Sequence, residues 1–174
     1  MKKEAFLWGL GGFTFTGIFG TFLHFLYDLS GQKLWAAVLS GVNESTWEHM
    51  KLLFFSMLIF AVLEWFFWGT RKDFWCVQLR SILLGQILIP VIFYTYNGAV
   101  GKSPDWLNIS IFFICALFAY RYQTKKYLQE STACTFPAMA FIGICGIGIL
   151  FALFTFFPPE IGLFLDPISG TYGI

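Results

Sequence analysis

Residues 45 to 68 read STWEHMKLLFFSMLIFAVLEWFFW, and this run decides the fold. It has about the ~20 predominantly apolar residues that a helix needs to cross a bilayer. Its dense Phe, Leu and Ile content lacks the alternation of a barrel strand. In lipid every backbone N–H and C=O must be satisfied within the segment, so the run reads as a helix. Four further segments repeat the pattern, near residues 5–27, 74–96, 106–122 and 136–157. Between the first two, Leu34 to Gly41 is apolar but too short to cross, and it reads as an interfacial or re-entrant piece anchored by Trp35. Pro90 is expected to kink the third span, Pro137 to open the fifth and Pro158-Pro159 to end it. The expected fold class is all-α: a polytopic integral membrane bundle of about five transmembrane helices, one domain over residues 1–174.

Composition agrees with that reading. Of 174 residues, 57% are AVILMFWYC and only 12% are charged, about half the share of a soluble domain. A net charge of +1 excludes a nucleic-acid footprint, which needs a basic stripe; the implied partner is the lipid bilayer, with a homo-oligomer or a membrane subunit as a further candidate. The four cysteines form no C-x-x-C pair, so neither a disulfide framework nor a thiolate metal site is expected. Met1-Lys2-Lys3 and the run after it imitate a signal peptide, but the run is too long and lacks a small-x-small site, so it reads as a retained first span.

Basic residues at the span ends give an orientation. Lys2, Lys3, Arg71, Lys72, Arg121, Lys125 and Lys126 fall on one side, and Lys33, Lys51 and Lys102 on the other. The heavier side is read as cytoplasmic, which places the N-terminus in the cytoplasm and the C-terminus outside the plasma membrane.

Two outer segments carry the chemistry. In the first span Gly17, Gly20, Thr21, His24 and Asp28 share one helical face, and a small, polar stripe is the face that packs against other helices. His24 and Asp28, four apart, can touch, as when a carboxylate orients an imidazole ligand or base. The second segment is Asn43-Glu44-Ser45-Thr46-Trp47-Glu48-His49-Met50-Lys51. Ser45 with Glu48 three later is a capping box, which accounts for both without catalysis. Trp47 and Lys51 read as an interfacial anchor and a snorkelling cation. His49 has no such local account, and Glu44, outside the helix, is free to turn toward a site. Gln86, Pro90, Tyr94 and Asn97 form a further stripe, and Asp105 and Asn108 stand at the start of the fourth span, while Glu64 and Arg80 read as an ion pair toward the other end.

At these residues the chain resembles a family of small bacterial multi-pass membrane proteins without an assigned activity. The resemblance lies in His24-x-x-Tyr27-Asp28-x-Ser30-Gly31 and Asn43-Glu44-Ser45-x-Trp47-Glu48-His49-x-Lys51, with a weaker likeness in the tail from Asp166 to Ile174. It implies a bacterial inner-membrane location and makes the two motifs the family's signature.

Three function classes follow. A membrane-embedded, hydrolase-like enzyme can use His24, Asp28, Glu44 and His49 as the ligands of a divalent metal such as zinc, with Glu44, Glu48 and His49 as candidate catalytic groups. The absence of H-E-x-x-H and a total of two histidines stand against it. A metal-free variant has Ser45 as nucleophile and His49 as base, in conflict with the capping role of Ser45. The alternatives are solute binding or transport along broken helices, and an assembly protein whose polar residues only fix helix packing.

Overall fold

The computed structural model describes residues 2–101, 104–131 and 134–174. Lys102, counted above on the outer side, lies outside the described residues, as does the side chain of Asp105. The described residues form six helices: α1 (Lys2–Leu29), α2 (Leu34–Leu39), α3 (Thr46–Trp68), α4 (Phe74–Val100), α5 (Asp105–Tyr127) and α6 (Pro137–Phe156). Helices α1, α3, α4 and α6 are long and apolar enough to cross a membrane. The fifth expected span, α5, has the length, but Asn108, Arg121 and Gln123 dilute its apolar content.

Local chemistry sets the boundaries. Ser45 caps α3, its Oγ accepting from the Glu48 N–H at 3.3 Å. Pro137 stands in the first turn of α6, where a missing N–H costs nothing, and Phe157 ends that helix before the two prolines. Helix α4 continues through Pro90 rather than ending there. Gly31 and Gln32 turn the chain after α1 with positive φ values of 72° and 60°.

Helices α1, α3, α4 and α5 pack as a ring: α1 lies against α3 and α5, and α4 closes the other side against the same two. Helix α6 covers α4 and α3 from outside, and α2 tucks between α6 and the α1–α3 pair. Leu53, Phe54, Met57, Ile82, Cys115 and Ile144 fill the centre. The small-residue face of α1 allows the ring to close. A Cβ at Gly20 would lie 2.6 Å from the Phe112 ring, and one at Gly12 would overlap Tyr120 and Phe60. This buried face runs through Gly9, Gly12, Thr16, Gly17 and Gly20, whereas Thr21 and Asp28, expected on it, are exposed.

Two sequence expectations fail at the far end of the bundle. Cys76 and Cys134, 58 residues apart, are joined by a disulfide. Spacing could not show this pair, because α4 and α6 must first be known to start at the same end. Glu64 is paired with Gln78 and Gln123 rather than Arg80. Gln78 lies on the buried face of α4, and Arg80, two residues on, points outward.

Candidate functional site

His24 sits in the last turns of α1 and His49 in the first turn of α3, so an antiparallel pairing of the two helices brings them to one level. Their ring centroids are 5.6 Å apart. Glu44 reaches them from the segment that enters α3. Its flanks are held by neighbours: Asn43 accepts from the Ser45 N–H at 2.9 Å and donates to the Gly173 carbonyl at 2.9 Å, and the Asp166 carboxylate faces the Glu44 backbone amide. The C-terminal tail is thus a structural part of the site. Asp166 also gathers Ile168 N–H, Ser169 N–H and the Ser169 hydroxyl. Burial raises its proton affinity, but these donors outweigh it and hold the carboxyl below its ordinary value.

Glu44 bridges the histidines. One oxygen lies 3.5 Å from His24 Nε2 and the other 3.5 Å from His49 Nε2. The His24 ring facing it holds Glu44 below the usual carboxylate range, with His49 adding to the effect and partial burial opposing it. His49 Nδ1 meets the Ser45 carbonyl at 2.9 Å, so an Nδ1–H tautomer leaves Nε2 with a free lone pair toward Glu44. All three ligand atoms lie within 4.8 Å of one another. Two ligands bonded at ~2.0–2.1 Å to one tetrahedral ion stand ~3.3 Å apart, close to each Glu44–histidine separation. The two separations involve different Glu44 oxygens, and by donor type two imidazoles and a carboxylate could hold a zinc-type cation.

Asp28 is not in that group. It is exposed and lines, with the other three, a recess of about 160 Å³. Glu48 faces elsewhere. It is 2% exposed, ion-paired with Lys51 and accepting from Thr155 Oγ1 at 2.9 Å and Val42 N–H at 3.1 Å. Its carboxylate does not return to the Ser45 amide, so only half of the expected capping box forms. The reason is Lys51, which is fully buried rather than snorkelling and also donates to the Ala37 carbonyl and Thr155. Trp47 is no interfacial anchor either, since it packs against Phe151, Phe154 and Phe164. Ser45 is 1% exposed and turns its carbonyl, not its hydroxyl, to His49, which removes the nucleophile–base reading.

From the three-residue cluster a second cavity of about 740 Å³ runs into the ring of helices. Its walls are mostly apolar, including Leu52, Ile89, Phe93, Phe112 and Phe113. Asn97 and Asn108 add polar groups to its lining, and Pro167 and Ile168 of the tail also line it.

A family profile described as a family of unknown function, DUF6512, matches residues 2–174. The chain belongs to this family. No curated protein and no solved structure matches it. For this DUF6512 member, what the cluster can do is read from its own groups. Two imidazoles and one carboxylate, half-buried at the mouth of a cavity, can hold a cation with a coordination position left open, or can exchange protons with a bound molecule. Sequence reasoning missed the parts of the DUF6512 site that come from afar: Asp166 and Gly173 position Glu44, and Thr155 draws Glu48 away from it. Local spacing carries no signal for these contacts, since Asn43 and Gly173 stand 130 residues apart and Glu48 and Thr155 stand 107 apart.

Proposed function

We propose that this protein is a membrane-embedded hydrolase with one divalent metal held by His24, Glu44 and His49. The observation that carries the reading is the meeting of three ligand atoms within 4.8 Å at the mouth of a cavity large enough for a substrate. Two histidines and a glutamate are a donor set of catalytic zinc sites, in which the fourth position takes water or substrate and the ion lowers the pKa of that water. With a metal held there, Asp28, the other carboxylate lining the recess, would be available as a proton acceptor for water at the site. Glu48, committed to Lys51 and Thr155, has no part in the chemistry.

The test is metal analysis of detergent-purified protein. Stoichiometric zinc in the wild type that disappears in His24→Ala and His49→Ala is the expected result. No bound metal, with thermal stability raised by a solute and unaffected by chelator, would make the cluster a solute-binding site. No metal, and wild-type function in both histidine variants, would leave only a helix-packing role.

We further propose five spans, with α5 crossing beside α1 and α4, and the site on the extracytoplasmic side. The basic count supports this orientation. The Cys76–Cys134 disulfide pulls the other way, because it lies at the opposite end, where the cytosol would keep thiols reduced. Single cysteines decide between them in a background lacking the native four. An impermeant maleimide should label position 33 and not position 125 in intact cells; the reverse pattern inverts the topology.

A further inference from the structure

We propose that the occupant of the large cavity is the hydrocarbon chain of a membrane lipid, so that the substrate of the metal site is an amphiphile whose polar group lies at His24, Glu44 and His49. The inference rests on the hydrolase reading for what happens at the polar end, and on the cavity alone for what fills the apolar end.

Shape and polarity carry the argument. At about 740 Å³ the cavity falls in the ~300–1,000 Å³ range of small-molecule sites. Its lining on α4 extends from Asn97 to Ile89, about 12 Å along the helix at ~1.5 Å per residue. The cluster, Asn97 and Asn108 supply polar groups to a lining otherwise dominated by side chains such as Ile89, Ile111, Phe112 and Phe113, and the Thr21 hydroxyl, also in the lining, is spent on the Gly17 carbonyl. A ligand matched to this lining is polar at one end and hydrocarbon along the rest.

Access has the right direction for such a molecule. Phe25 on α1 and Ile109 on α5 both line the cavity and are 55% and 60% exposed, so its lining reaches the outer surface of the bundle at these two helices. An acyl chain can enter there from the bilayer without crossing water. A peptide segment fits less well, because each residue brings an N–H and a C=O, and the apolar inner walls offer them no partners. A hydrocarbon chain has no such groups to satisfy.

The experiment uses full-length protein in nanodiscs of phosphatidylcholine carrying a photoactivatable diazirine on one acyl chain, with crosslinked residues located by mass spectrometry. Labelling should concentrate on Ile89, Phe112 and Phe113 over the outward-facing Ile87 and Ile149. Thr21→Trp, at an exposed lining position, should block the cavity and reduce that labelling to the outward level, while zinc content stays at the wild-type value. Cavity labelling equal to that of outward residues, or unchanged in Thr21→Trp with fold and zinc content intact, overturns the lipid assignment and leaves the metal site standing. If Thr21→Trp does not fold, competition by unlabelled fatty acid replaces it, and labelling that resists competition overturns the proposal. Concentrated, competable labelling of a protein that holds no zinc retains the lipid pocket and removes the hydrolase. Protection of the cavity by an added apolar peptide, but not by fatty acid, would assign it to a peptide.

Discussion

Glu44 and Glu48 stand four residues apart and belong to opposite kinds of polar region. Glu48 is buried to 2% exposure, with Lys51, Thr155 and the Val42 amide around it, so its hydrogen-bonding capacity is spent. Glu44 is 39% exposed, touches two imidazoles at 3.5 Å and borders both cavities. The first arrangement is a lock: it ties α3 to α6 through Thr155 and to α2 through the Ala37 carbonyl. The second is a half-exposed cluster whose three side chains line a recess of about 160 Å³. Buried polar groups that are fully bonded describe how a protein is held together, and convergent groups with space between them describe where a ligand goes.

The sharpest way to break this contrast is to attack the lock. Lys51→Met leaves a buried carboxylate without its cation, and removing one partner of a buried pair costs about 3–5 kcal/mol. Zinc content of whatever protein folds should be unchanged, since Lys51 does not line either cavity. Adding Glu48→Leu should recover much of the loss in a denaturant or thermal titration. Failure of the second substitution to recover stability would show that packing of the lysine stem, not charge pairing, dominates the lock.

The cluster should respond in the opposite manner. Its histidine and glutamate substitutions should alter ligand response more than intrinsic stability. With zinc at about 100 times its Kd, a folded-state ligand adds about 2.7 kcal/mol of apparent stability. The wild type should show this gain, read as a shift in thermal midpoint, and Glu44→Ala, His24→Ala and His49→Ala should each lose it. A gain that survives Glu44→Ala would move the carboxylate ligand to Asp28.

Much of this division was out of reach of local sequence patterns. Helical periodicity placed His24 and His49 on inward faces of consecutive helices, and the short link between α1 and α3 made their meeting a natural expectation. Glu44 was legible because it precedes the cap and has no helical duty. Glu48 was not, since Ser45 and Glu48 have the spacing of a capping box while the partner that decides the matter, Thr155, is 107 residues away. Lys51 and Trp47 misled for the same reason: near a helix end each has a good interfacial reading, and only the position of α6 and the tail buries one and packs the other. The disulfide and the Glu64–Gln78–Gln123 group likewise need the helix order in space. The apolar runs were legible because crossing length depends on composition alone, and α5 is the exception because its polar residues lie within that length.

Ser45 belongs to both regions and gives the smallest and most discriminating effect. Its Oγ caps α3 by accepting from the Glu48 amide, while its carbonyl accepts from His49 Nδ1. Ser45→Ala removes the first and keeps the second, so it should cost about 1 kcal/mol of stability and preserve the zinc-dependent gain. Ser45→Gly should cost only a few tenths, since glycine is a tolerated cap. Both comparisons can be made on one set of thermal curves, with and without zinc. Loss of the zinc gain in Ser45→Ala at unchanged intrinsic stability would mean that the hydroxyl acts in the site and not in the cap. The boundary between lock and cluster would then run through the helix, one turn further in than the geometry draws it.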